Sequence, residues 1–101
     1  MNLDIDVKNY QNIHELYVGE GMVEIYTANN RVFRIFAMCN AENKEAGWTV
    51  RCDELIEIEG KNGEDYEVWS DYVSFAEVHP QTTMEDALVN AIGFADEHGK
   101  K

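Results

Sequence analysis

The chain predicts an α+β domain: an antiparallel sheet of four to five strands in two hairpins, packed against a C-terminal amphipathic helix, with a short N-terminal helix. Three observations predict it. Residues 48–59 and 64–69 alternate apolar with acidic around the turn Gly60-Lys61-Asn62-Gly63. A second pair of β-rich runs flanks Asn29-Asn30. Apolar residues recur at helical spacing from Met84 to Ala95.

With 101 residues, 45% of them hydrophobic, the chain is expected to fold as one domain, 1–101, burying roughly 60–65% of its unfolded surface. Its net charge is −12 and its pI about 4.4. Nucleic acid and anionic membranes would repel it, so direct binding to either is not expected. Basic partners are favoured, and basic protein surfaces are mostly those that bind nucleic acid. The acidic, alternating start lacks the positive region and apolar run of a signal peptide, which suggests a cytoplasmic location.

Taken in order, Leu3, Ile5 and Val7 alternate with aspartates in a strand-like lead-in. Asn12 and Glu15 read as a capping pair for a short helix whose stripe is Ile13, Leu16 and Tyr17, ended by Gly19 and Gly21. Met22–Ala28 and Arg31–Cys39 follow as a hairpin. A two-residue Asn29-Asn30 turn would pair Tyr26 with Phe33 and Val23 with Phe36. Arg31 and Arg34 read as partners for nearby carboxylates, and residues 40–47 as a polar loop.

In the second hairpin Trp48, Val50, Cys52, Ile56 and Ile58 share one face, opposite Thr49, Arg51, Asp53, Glu57 and Glu59. Glu54 interrupts the apolar face, which predicts a bulge near Asp53-Glu54. A two-residue Asn62-Gly63 loop would set Ile58 opposite Glu67 and Ile56 opposite Trp69. A three-residue loop with Gly63 at positive φ pairs Ile58 with Tyr66 and Ile56 with Val68, and is expected because it makes one face uniformly apolar. The same register sets Glu57 against Glu67 and Glu59 against Asp65. Beyond Val68 the apolar phase changes, which suggests a turn at Ser70-Asp71 and either a further strand from Tyr72 to His79 or a short helix from Tyr72.

The C-terminal helix has Thr82 as its expected N-cap with Glu85 completing a capping box. Met84, Ala87, Leu88, Ala91, Ile92 and Ala95 form its apolar stripe, and Gly99 with two lysines closes it. It is expected to cover a face made by Tyr26, Phe33, Ile56, Ile58, Tyr66 and Val68.

Few constellations could carry chemistry. His14, His79 and His98 have no ligand spacing with one another or with Cys39 and Cys52, so no zinc site is expected. The two cysteines read as reduced core thiols, with a disulfide between adjacent strands as the alternative. Asp53, Glu57, Glu59, Asp65 and Glu67 could bind divalent cations weakly, but no calcium loop is present and extended strands splay carboxylates. Asp53 with Glu59-Gly60-Lys61 superficially looks like the acid…ExK set of metal-dependent nucleases, except that Lys61 falls in the turn. With no nucleophile elbow, phosphate loop or dinucleotide motif either, neither a cofactor nor an enzymatic activity is expected.

What remains is surface. From Asp53 to Glu77 nine acids face one base, Lys61, which accounts for −8 of the −12. Like charges directly across a sheet destabilise it by a fraction of about 1 kcal/mol per pair. They serve either solubility and edge protection, or a selected anionic face. Same-face carboxylates on a strand stand ~6.6 Å apart, twice the ~3.3 Å rise. That is the order of the ~3.4 Å phosphate repeat of each nucleic-acid strand. Trp69, flanked by Glu67 and Asp71, has the anatomy of an interface anchor ringed by charge.

The candidate partner-binding set is therefore Asp53, Glu57, Glu59, Asp65, Glu67, Trp69 and Asp71. The expected function is a non-enzymatic inhibitor that occludes a basic, nucleic-acid-binding surface of another protein. At the level of composition this fits small phage or mobile-element anti-defence proteins of the anti-CRISPR or anti-restriction kind, although no motif assigns a family. The alternative is a small structural or assembly domain, a homodimer or complex subunit whose acidity only aids solubility.

Overall fold

A computed structural model describes residues 5–39, 42–72 and 80–101. Five antiparallel strands follow one another in space in chain order: β1 (Ile13–Gly19), β2 (Met22–Thr27), β3 (Val32–Cys39), β4 (Trp48–Glu59) and β5 (Asp65–Asp71). One helix, α1 (Met84–His98), packs across β2, β3 and β4. The α+β class and the sheet-on-helix arrangement are those the sequence predicts. The N-terminal helical element is a single 3-10 turn at Val7–Asn9, and the further strand or helix expected from Tyr72 to His79 lies, but for Tyr72, outside the described residues.

The core is one layer between α1 and the middle of the sheet. Val23, Ile25, Phe33, Ile35, Val50 and Cys52 meet Ala87, Leu88, Ala91, Ile92 and Ala95, all buried. Small alanines at three of these helical positions allow a close approach of helix to sheet. Thr83 caps α1, its hydroxyl accepting from the Asp86 backbone N–H at 3.1 Å. The cap falls one residue after Thr82 because Gln81 is held extended, exchanging two 2.8 Å backbone hydrogen bonds with Trp48. The far end is fixed by Asn12, whose backbone N–H donates to Asp96 at 2.8 Å, and by Asn29, whose side chain donates to the His98 carbonyl at 2.9 Å.

Four local expectations are corrected. Residues 13–19 form a strand, not a helix. The register shifts between Ile13 and Glu15, and this irregularity puts Ile13 opposite Thr27 and Leu16 opposite Ile25, both on the helix side of the sheet. A three-residue spacing that mimics helical periodicity is thus a bulged strand.

In the first hairpin Tyr26 pairs with Val32 and Val23 with Ile35, one residue away from the expected register. The loop has three residues, Ala28, Asn29 and Asn30, closed by a hydrogen bond from Thr27 N–H to Arg31 C=O (2.9 Å), with Asn30 at φ 65°. Because side chains alternate, the slip leaves Tyr26 on the face away from Phe33.

No bulge interrupts β4 at Glu54, which pairs in unbroken register with Phe33 and Ser70. Its carboxylate stays on the helix side because Arg31 grips both oxygens, at 2.7 and 2.9 Å. Finally, β5 runs straight through Ser70-Asp71, with no turn there.

Candidate functional site

The second hairpin has the register predicted from its sequence. Ile58 faces Tyr66 and Ile56 faces Val68, while Glu57 faces Glu67 and Glu59 faces Asp65. Gly60 N–H bonds to the Glu64 carbonyl at 2.7 Å, and Gly63 closes the turn at φ 75°, a conformation that suits glycine. Thus Asp53, Glu57, Glu59, Asp65, Glu67, Trp69 and Asp71 all project from the sheet face opposite α1. The rungs along that face are Asp53–Asp71, Leu55–Trp69, Glu57–Glu67 and Glu59–Asp65. Three of the four are like-charged.

Among the described residues no ion pair involves Glu57, Glu59, Asp65 or Glu67. Basic residues on this face are occupied nearer the centre of the sheet. Arg34 bonds Glu24 at 3.0 Å and stacks on the Trp69 ring, 4.1 Å from its centroid. Arg51 bonds Asp53 at 3.0 Å and lies 5.1 Å from the Phe36 ring centroid. Tyr17 donates to Glu15 at 2.9 Å, and this hydrogen bond and the carboxylate's charge hold its phenol above the ordinary pKa. The face therefore passes from a neutralised aromatic field around Tyr17, Tyr26, Phe36 and Trp69 to an uncompensated anionic ladder at the hairpin end.

Sequence reasoning placed Trp69 beside Leu55 but missed its clamp, Glu24–Arg34. Nothing in the linear order links residues 24, 34 and 69; the cross-strand pairs Glu24–Arg34, Arg34–Asp53 and Leu55–Trp69 do, Asp53 and Leu55 being same-face neighbours on β4. It also assigned the wrong cover to the opposite face of the hairpin. Tyr26 is not on the helix side, and Ile56, Ile58 and Tyr66 are on that side but remain 36, 44 and 49% exposed. The reason is length. A 15-residue helix reaches ~22 Å, whereas the 12 residues of β4 span ~40 Å.

Other candidate groups are dispersed. Cys52 is buried and Cys39 half-buried, and neither forms a disulfide. Burial and the neighbouring Asp53 and Glu54 push the Cys52 thiol up to about 12, opposite to the shift that activates a nucleophile. No group of three or more His, Cys, Asp or Glu side chains among the described residues converges on a point that could hold a metal. No described helix is long and apolar enough to cross a membrane.

The described residues form a five-stranded meander with one helix on one face, an α+β arrangement whose opposite face is strongly anionic at one end. Comparison with family models, curated proteins and solved structures finds no match.

Proposed function

We propose that the protein is a non-enzymatic binding protein whose acidic hairpin occludes a basic, nucleic-acid-binding surface of another protein. The phage or mobile-element anti-defence class, of the anti-CRISPR or anti-restriction kind, is the biological setting that suits it. One observation carries the reading. Glu57–Glu67 and Glu59–Asp65 stand opposed on adjacent strands with no neutralising base among the described residues. Such an arrangement costs stability in the free protein, and contact with a cationic surface removes that cost. Association would be steered by charge and weakened by salt.

The test is a pull-down from lysate of the cells that carry the protein, beside a Glu57→Gln/Glu59→Gln/Asp65→Asn/Glu67→Gln variant. The expected result is a nucleic-acid-binding protein retained by the parent, released by salt and by added nucleic acid, and lost by the folded variant. Equal retention by both, or retention of nothing, refutes the reading.

A second reading, a homodimer or complex subunit, is favoured by the exposure of Ile56, Ile58 and Tyr66. It expects micromolar self-association that moderate salt does not weaken.

A further inference from the structure

Past Glu54, β4 has no partner on its β3 side among the described residues, because the β3 pairing ends at Phe33–Glu54. Among the described residues, Leu55–Glu59 and Asp65–Trp69 therefore stand as a ribbon two strands wide. A radius of gyration of 14.6 Å, against ~13 Å for a compact chain of this length, agrees with such an arm. The two faces of the ribbon are chemically opposite. Beyond the Leu55–Trp69 rung, one bears Glu57, Glu59, Asp65 and Glu67; the other bears Ile56, Ile58, Tyr66 and Val68, with the Tyr66 hydroxyl donating to Glu64. The Tyr66 ring is held over the turn, so close to Gly60 that an added Cβ there would lie 2.5 Å from it.

Isolated two-stranded hairpins are marginal in water, so an exposed apolar face on one calls for an occupant. A second copy fits poorly. The arm offers roughly 17 Å by 10 Å of surface, far below the ~800 Å² per partner of a stable interface, and each copy brings a net charge of −12. Charge complementarity points instead to the cationic partner already proposed, which would then hold the arm on both faces.

The way the two chemistries are divided identifies that partner further. A duplex turns its phosphates outward and stacks its bases inside. A single strand offers a charged backbone and bare stacking faces, and grooves that bind it combine a basic track with an aromatic or apolar platform. Resting on the function proposed above, we infer that the β4–β5 arm imitates a single strand rather than a duplex. Its target is a protein with a single-strand-binding groove, whose basic track meets the carboxylates and whose stacking platform meets Ile56, Ile58 and Tyr66.

The experiment uses two probes. One is an OB-fold single-strand-binding domain loaded with a labelled thymidine oligonucleotide; the other is a helix-turn-helix repressor loaded with labelled operator duplex. The intact chain should displace the single strand at a concentration at least tenfold below that needed for the duplex. An Ile56→Ser/Ile58→Ser/Tyr66→Ser variant should lose that tenfold advantage and leave duplex displacement unchanged. Ile58→Ser alone, a milder change, should lose part of it.

Three outcomes overturn the inference while sparing the proposed function: preference for the duplex, undiminished displacement by the serine variants, or a dimer in sedimentation that those variants dissociate. Failure to displace either probe, or displacement unaffected by the four amide substitutions, overturns the function as well.

Discussion

Arg34 lies over Trp69 with its guanidinium carbon 4.1 Å from the ring centroid, while its Nε donates to Glu24 at 3.0 Å. The arginine is thereby fixed between a carboxylate on β2 and an indole on β5, so three strands share one contact. The stack neutralises the sheet centre and holds Trp69 at the head of the acidic ladder. Arg34→Met keeps the aliphatic stem and removes the charge. We expect a loss of about 1 kcal/mol. In a Trp48→Phe background, the Trp69 emission should shift to longer wavelength as the ring gains solvent. Unchanged emission would show that the stack does not order the indole.

Arg31 and Glu54 form a bidentate pair at 2.7 and 2.9 Å, with the guanidinium 4.9 Å from the Phe33 centroid and 5.0 Å from that of Tyr72. The hydrogen bond to Glu54 raises the arginine's pKa above its ordinary value, so the charge stays at any working pH. Removing Arg31 alone strands a half-buried carboxylate. Arg31→Met should cost about 3 kcal/mol in urea denaturation, the low end for a buried pair because both groups keep some exposure. Arg31→Met/Glu54→Leu should recover most of that loss. A double variant as unstable as the single one would place the loss in packing against Phe33 and Tyr72.

Cys52 supplies a pH dependence. An exposed thiol ionises near 9.0, whereas the folded one keeps its proton to about 12. Its stabilising contribution is complete below pH 9 and is lost as pH rises toward 12, by up to about 1.4 kcal/mol per pH unit. Cys52→Ala should flatten the alkaline limb of the stability curve relative to the parent, although it lowers the plateau by leaving a cavity. At pH 8 the native Cys52 thiol should resist alkylation until the protein is unfolded. Fast labelling of Cys52 in the folded state would contradict its burial.

The ladder should reveal itself through salt. Converting Glu57, Glu59, Asp65 and Glu67 to amides removes two opposed like-charge pairs, so the variant should melt above the parent in low salt. Near 1 M NaCl, where the screening length falls to ~3 Å, the two melting temperatures should converge. A gap that persists in high salt would assign the effect to strand propensity instead of repulsion.

Residues whose information is local were legible in the chain. Gly63 suits either a two- or a three-residue turn, and the alternation, which makes one face uniformly apolar only with three, selects Glu57 opposite Glu67 and Glu59 opposite Asp65. The stripe from Ala87 to Ala95 marks the buried side of α1 just as directly. Where two periodicities fit the same residues the reading failed. Ile13 and Leu16 satisfy a helix and a bulged strand equally, and pairing with Thr27 and Ile25 decided between them. The loop at residues 28–30 was read one residue short because asparagine, unlike glycine, does not announce the left-handed position that Asn30 takes.

Composition, alternation and the turn glycine thus determined by themselves the acidic hairpin, the amphipathic helix and the α+β class. Tertiary structure alone decided that Arg31 neutralises Glu54, that Arg34 clamps Trp69, and that α1 leaves Ile56, Ile58 and Tyr66 uncovered. Those outcomes depend on which strands lie side by side and on how far a helix rising ~1.5 Å per residue can follow a strand rising ~3.3 Å. No periodicity within one segment encodes either quantity.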